Sequence, residues 1–247
     1  GMIKALDSLI ANPKTPPVNL SYYNFLRGNA SFLSKKPGDA LPFFLKAREL
    51  GSTEKDLGLL IVQSYVDTGR VREGVDEMGK AIDVEKAAGR KPPESWYNYA
   101  VAKVYNAGDR SAAAVWLMRQ VNDYPTIANW RRVIVLYRDS IDKTTGGLSK
   151  PQKLDLFRLM RGTKALADQA DYFDYSNFAL QSGLPWESIA VINEARDAGK
   201  ASKTDATFNS VYNAAQTAVK NESPLEVLLK RAADAPTGNE AAETGDA

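Results

Sequence analysis

Along residues 40–51, ALPFFLKARELG, apolar and polar positions alternate with a helical period, Ala40, Phe44 and Ala47 on one face and Lys46, Arg48 and Glu49 on the other. The apolar face runs small, large, small. A helix lying on a broad core can carry large residues throughout, because they bury more area per position. Small residues at fixed intervals instead require a close neighbour, with a second helix backbone approaching at Ala40 and Ala47 and Phe44 filling the space between. The pattern recurs: Ala81 follows Ala47 by 34 residues, with Gly74 and Met78 in the places of Ala40 and Phe44. Gly69 in SYVDTGR reads as the turn glycine of that copy. A third copy, VYNAGDRSAAAVWLMRQVNDYP, has turn glycine Gly108, small Ala113, large Leu117 and a closing Pro125. Gly69 and Gly108 are 39 residues apart, one repeat plus five, and GRKPP (Gly89 to Pro93) is an insertion of that size. A fourth copy opens with WRRVIVLY, and a fifth, YFDYSNFALQSGLPWESIAVINEARDAG, places Tyr172, Tyr175, Ser176 and Ala179 before turn glycine Gly183 and Ser188, Ile192 and Ala195 after it.

Read by period, the chain predicts helices throughout and no strand. Residues 2–11 form a short amphipathic helix, ended by NPKTPP, whose prolines forbid continuation. Paired helices follow: 22–33 with 39–50, where Pro42 is tolerated in the first turn, 56–68 with 71–88, and 94–106 with 111–123. A helix over 128–140 leads into a long loop, 141–150, and a helix over 151–161. Then come 168–182 paired with 185–198, and 204–220 with 224–233. The domains are therefore a short helix and proline-rich linker (1–20), an array of five to six repeats (21–233) irregular at 141–165, and an acidic, frayed tail (234–247).

These spacings resemble the tetratricopeptide repeat, a helix–turn–helix unit of about 34 residues, over roughly residues 20–200. In the fourth copy Trp130, Val133, Ile134 and Tyr137 keep the family's first-helix spacing, with Ile134 in the place of the usual glycine. The resemblance implies an all-α, right-handed superhelix whose first helices line the inner groove, and a non-catalytic role as a protein-interaction scaffold or adaptor. Phrases such as AAGRKPPESWY and FALQSGLPWESIAVINEARDAG are similar to those of bacterial proteins that carry several such repeats, often behind an export signal. That similarity implies the bacterial periplasm or cell envelope. Gly1 ahead of Met2 reads as a remnant of tag removal, and GNEAAETGDA resembles the opening of a further first helix, so an export signal or more repeats are expected beyond the two ends.

Composition narrows the chemistry. With 32 basic and 30 acidic residues the net charge is +2, a balance that argues against a nucleic-acid groove, where cations must outnumber acids locally. No apolar run approaches the roughly 18 residues that cross a bilayer. There are no histidines and no cysteines, so imidazole bases, thiolate nucleophiles, disulfides and the usual zinc ligands are all absent. No metal or cofactor site is expected. The carboxylates lie mostly on helix exteriors beside Lys and Arg, as in RVREGVDEMGK. STEK (Ser52 to Lys55) has the Ser-x-x-Lys spacing of serine acyl enzymes, but stands where a helix N-cap is wanted. Gly146 and Gly147 lack the Lys-Ser or Lys-Thr of a phosphate loop. Trp96, Trp116 and Trp130 fall at packing positions, while Trp186, after Pro185 at a helix start, is left partly exposed.

What remains for binding is the inner wall. Carrying the family's groove-facing positions onto this chain gives Gln63 and Asp67 in the second repeat, Asn98, Tyr105 and Asn106 in the third, Arg131 and Arg138 in the fourth, and Asn177 and Gln181 in the fifth. Side-chain amides suit the backbone of an extended peptide, and Arg131 and Arg138, seven apart on one face, suit a carboxylate. The Lys and Asn constellation with which some family members clamp a chaperone's C-terminal carboxylates is not reproduced. Two rival functions carry distinct requirements. A carboxylate-using hydrolase or lyase needs facing acids with a raised pKa, and an RNA-reading repeat needs a basic wall across most repeats. Self-association through apolar faces of terminal helices is also expected to be open to the chain.

Overall fold

A computed structural model describes residues 1–144, 147–222, 225–235 and 238, without the side chains of 140–144 and 225. Among these residues there are thirteen helices and no strand. They are α1 (Met2–Ala11), α2 (Pro17–Leu33), α3 (Pro37–Glu49), α4 (Leu57–Asp67), α5 (Val71–Ala87), α6 (Glu94–Asn106), α7 (Arg110–Asp123), α8 (Ile127–Thr144), α9 (Lys150–Gly162), α10 (Gln169–Gln181), α11 (Pro185–Asp197), α12 (Ala206–Asn221) and α13 (Leu225–Asp234). The all-α series of helix–turn–helix pairs expected from the repeat is what the structure shows. The backbone divides into two units, Gly1–Asn129 and Trp130–Ala247.

In the first unit α1 packs on α2, and the pairs α2–α3, α4–α5 and α6–α7 follow, α3 also touching α4 and α5 touching α6. In the second, α10 and α11 form the tightest pair, α12 packs on both, and α9 lies against α10.

The turns inside the pairs follow from backbone chemistry. Gly69 and Gly108 have φ of +81° and +82°, which a side chain disfavours, and each ends its helix with a reversed hydrogen-bond pair. Arg70 N–H donates to the Tyr65 carbonyl at 2.9 Å, and Asp109 N–H to that of Val104 at 3.0 Å. In the α2–α3 turn the same position is Lys35, at φ +59°.

Small residues explain the close crossing of each pair. A Cβ on Gly28 of α2 would come within 2.6 Å of the Phe44 ring, and one on Gly74 of α5 within 2.6 Å of Val66 and 3.0 Å of the Val62 carbonyl. Phe44, fully buried between Phe25 and Phe32, centres a core that includes Ala40, Leu41, Ala47, Leu57 and Ile61. In α6–α7 and α10–α11, Val101 and Ala113, and Ser176 and Ser188, are buried as well.

Several boundaries differ from expectation. α2 begins at Pro17 rather than residue 22, because a proline at the first helical position loses only an N–H that would be unpaired anyway. α3 likewise starts at Pro37, which moves Pro42 out of the first turn and into the helix body. There it supplies no N–H for the bond to the Gly38 carbonyl four residues earlier. Ser52 is not a helix cap: its Oγ receives Glu54 N–H at 3.4 Å in a local turn, and α4 starts five residues later at Leu57. The loop expected at 141–150 is shorter, since α8 runs on to Thr144, and α9 opens with Ser149 N–H donating to Gln152 Oε1 at 3.0 Å. Gly146, the start expected at Pro224 and most of the expected tail lie outside the described residues.

Candidate functional site

Each unit presents its own set of polar side chains. In the first, Gln63 and Asp67 on α4 are exposed, as are Asn98, Tyr105 and Asn106 on α6. On α6 the Tyr99 phenol is pushed above its ordinary pKa first by burial and then by the charge of Asp67 on α4. Lys103 Nζ lies 5.2 Å from the Tyr99 ring, and Arg110 stands at the same distance from the ring of Tyr105, which is 45% exposed. Asn98 is partly committed inward: its Oδ1 accepts from Gln120 Nε2 at 3.0 Å, and the same Nε2 reaches Glu94 Oε1 at 3.0 Å. Asn129 Nδ2 completes this cluster on Glu94 at 2.8 Å.

In the second unit the paired-arginine receptor is not assembled. Arg131 donates to the Ala165 carbonyl at 2.9 Å and to Asp171, with Asp168 at 3.7 Å. The Ala165 carbonyl of the connection after α9, and Asp168 and Asp171 at the start of α10, meet this guanidinium of α8, which is therefore a brace between elements. Arg138 pairs with neighbouring Asp139 at 3.2 Å and lines a cleft between α8, α9 and α10. Asn177 is half-buried, and exposed Gln181 borders a second cleft with Arg158 and Lys150. Trp186 is 58% exposed and donates its indole N–H to Glu222 at 2.9 Å.

Successive second helices are laced together by ion pairs that no motif in the sequence announces. Arg48 of α3 pairs with Glu77 of α5, and Asp83 and Lys86 of α5 pair with Arg119 and Asp123 of α7. Arg72 of α5 reaches Asp109 at the start of α7. In the second unit Arg158 and Arg161 of α9 hold Glu187 and Glu194 of α11 at 2.8 and 2.7 Å. Two rungs carry a buried tyrosine between them: Tyr97 donates its hydroxyl to Asp123 and Tyr175 to Glu187. The signal was present, since partners lie 29 to 37 residues apart, about one repeat, with opposite charge.

These rungs set the electrostatics. Burial pushes Glu187 upward, but its hydrogen bonds from Arg158 and Tyr175 outweigh that and hold it below the ordinary carboxylate value. Asp123 is held down in the same way by Lys86 and Tyr97. Glu73, Glu77, Glu85 and Asp109 are also displaced downward. Among the described residues no three Asp or Glu side chains gather in a metal-binding group, and no helix is long and apolar enough to cross a membrane.

The helix pairs, their left-handed turn residues and their small-residue crossings define a tetratricopeptide-like repeat fold. No protein-family model matches the chain, and no curated protein matches it. Among solved structures, the chain is similar to the TPR2AB domain of yeast Sti1 in a pHSP90 complex, at 14% identity over 92% of this chain and 96% of that one, with a TM-score of 0.35. It is similar at the same TM-score to YrrB, a TPR protein with an unusual peptide-binding site (14% identity, 89% and 98% covered), and to MamA (11% identity, 78% and 95% covered). Likenesses this distant carry no functional argument.

Proposed function

We propose that the chain is a non-catalytic protein-interaction scaffold that holds a peptide or a partner's extended segment on the exposed face of α4 and α6. The observation that carries this reading is the row of exposed amide and phenol groups, Gln63, Tyr105 and Asn106, beside Asp67 and Asn98, on two helices fixed by a buried core. Amide side chains donate and accept at once, which suits a peptide backbone that presents both groups at every residue. Chemistry by carboxylates would want an acid displaced upward, whereas every displaced carboxylate among the described residues lies below its ordinary value. An RNA-reading wall is disfavoured by the acids on Arg131.

The test is a pull-down from bacterial extracts that compares the chain with Gln63→Ala, Tyr105→Ala and Asn106→Ala combined, once circular dichroism shows equal helicity. A protein captured by the unmodified chain and lost by the triple variant supports the reading. Equal capture by both removes the site from this face.

A further inference from the structure

Where α8, α9 and α10 meet, the second unit leaves an apolar cleft of about 280 Å³. Its walls are Ile134 of α8, Leu148, Leu156, Phe157 and Met160 of and before α9, and Phe178 of α10, with three charged side chains, Arg138, Lys153 and Asp174, contributed one by each helix. The cleft has a cause in the packing. α9 lies against α10, and the Phe157 ring stacks on Tyr175 at 5.3 Å and tilts against Phe178 at 6.3 Å. Among the described residues α8 and α9 do not close backbone against backbone as α2–α3 or α10–α11 do. Leu156, Phe157 and Phe178 are consequently half-buried, their apolar surface facing space rather than a partner helix.

The charges differ in kind from the rungs of the second helices. There each cation is matched to an acid a repeat away. Here Lys153 and Asp174, both on the wall of one apolar cleft, are in no ion pair among the described residues, and Arg138 is engaged by Asp139 through Nε. Two cations and one carboxylate around an aromatic and aliphatic cavity match a small zwitterion with an apolar side chain better than a simple anion, which Asp174 would repel. The volume is at the small end of ligand sites, on the order of 300 Å³, and suits one amino acid better than a longer chain.

We propose that this cleft binds a free apolar α-amino acid of the leucine or phenylalanine type, its side chain among Leu156, Phe157 and Phe178, its carboxylate toward Arg138 and Lys153, and its ammonium toward Asp174. The site lies in the other unit from the α4–α6 face and does not depend on the scaffold reading.

The test is titration calorimetry on the full chain with leucine, phenylalanine, glycine, leucinamide, N-acetyl-leucine and octanoate. Saturable binding of leucine or phenylalanine is expected, weakened at least tenfold for leucinamide, which lacks the carboxylate, for N-acetyl-leucine, which lacks the ammonium, and for glycine, which lacks the side chain. Lys153→Met and Asp174→Asn, both at partly or fully exposed positions, are expected to cost about tenfold each, and Leu156→Trp to abolish binding by filling the space, all at unchanged helicity. Octanoate binding as well as leucine, Asp174→Asn binding leucine undiminished, or no ligand binding at all would each overturn the assignment.

Discussion

Gly28 and Gly58 are both helical glycines of the first unit, and the geometry assigns them opposite responses to the same substitution. A Cβ at Gly58 meets nothing within 4 Å, so Gly58→Ala gains helix propensity and loses unfolded-chain entropy, a stabilisation of about 0.5–1 kcal/mol. A Cβ at Gly28 meets Phe44 Cδ1 at 2.6 Å and Cε1 at 2.7 Å, so the ring must retreat by about 0.8 Å to recover ordinary 3.4 Å contact. It has nowhere to go: Phe44 is fully buried, with the Phe25 and Phe32 rings each 6.2 Å away. Overpacking of this kind costs about 1–3 kcal/mol, against which the same propensity gain of about 1 kcal/mol is set. Gly28→Ala should therefore be destabilised by up to about 2 kcal/mol, and because the propensity gain is common to both, the two variants should differ by about 1–3 kcal/mol. Urea unfolding followed by circular dichroism measures this as a shift in midpoint at unchanged slope. A Gly28→Ala midpoint equal to or above that of Gly58→Ala would refute the claim that small residues are required by the α2–α3 crossing.

Lys35 occupies a left-handed turn position at φ +59° that glycine fills in the next two pairs, so Lys35→Gly should stabilise the first unit by about 0.5–1 kcal/mol, read as a rise in urea midpoint. Arg131→Ala should lower the stability of the second unit by about 1–3 kcal/mol through loss of the Ala165 carbonyl and Asp171 bonds, while leaving partner capture intact; loss of capture at full stability would restore Arg131 to a binding role. Because Glu187 is held below its ordinary value of 4.5, its contribution is fully present above that pH and disappears as pH falls through the lower folded value. Stability of Glu187→Gln measured from pH 7 down to about pH 3 should therefore fall less steeply than that of the unmodified chain. The phenols of Tyr97 and Tyr175 are displaced upward, chiefly by burial and then by their carboxylate partners, so the folded chain should lose stability as pH rises above about 10, and Tyr175→Phe should blunt that loss.

The repeat itself was readable because it is written in residue size. Ala40, Gly74 and Ala113 recur where two helix backbones must approach, and Gly69, Gly108 and Gly183 where the chain must take a positive φ; each is a local steric demand that a single position answers. Helix starts were read less well, since Pro16, Pro17 and Pro37 look like breaks in a string of letters but are compatible with a first turn. The Lys35 turn carried no glycine to announce it. Residue type and spacing single out the candidate side chains, but not which of them folding already engages. Arg131 and Arg138 share a face seven residues apart, but only folding brings Ala165 of a later connection, and Asp168 and Asp171 at the start of α10, onto the first of them.

The same distinction decides where function can reside in such an array. A charge on a second helix has a neighbour one repeat away whose side chain can reach it, so selection for a stable stack tends to consume charges there as rungs. Arg48, Lys86, Arg119, Arg158 and Arg161 are all used in this way. Individually such pairs add little when exposed, but each fixes the register of one pair on the next, and the Tyr97 and Tyr175 hydroxyls extend two of them into the core. The proposed sites use side chains outside that lacing: Gln63, Tyr105 and Asn106 on α4 and α6 in one unit, and Lys153 and Asp174 beside an apolar cleft in the other. Two binding sites of different chemistry, one for an extended chain and one for a small zwitterion, are thus compatible with one repeat, because the repeat specifies how its helices stack and leaves the remaining faces unconstrained.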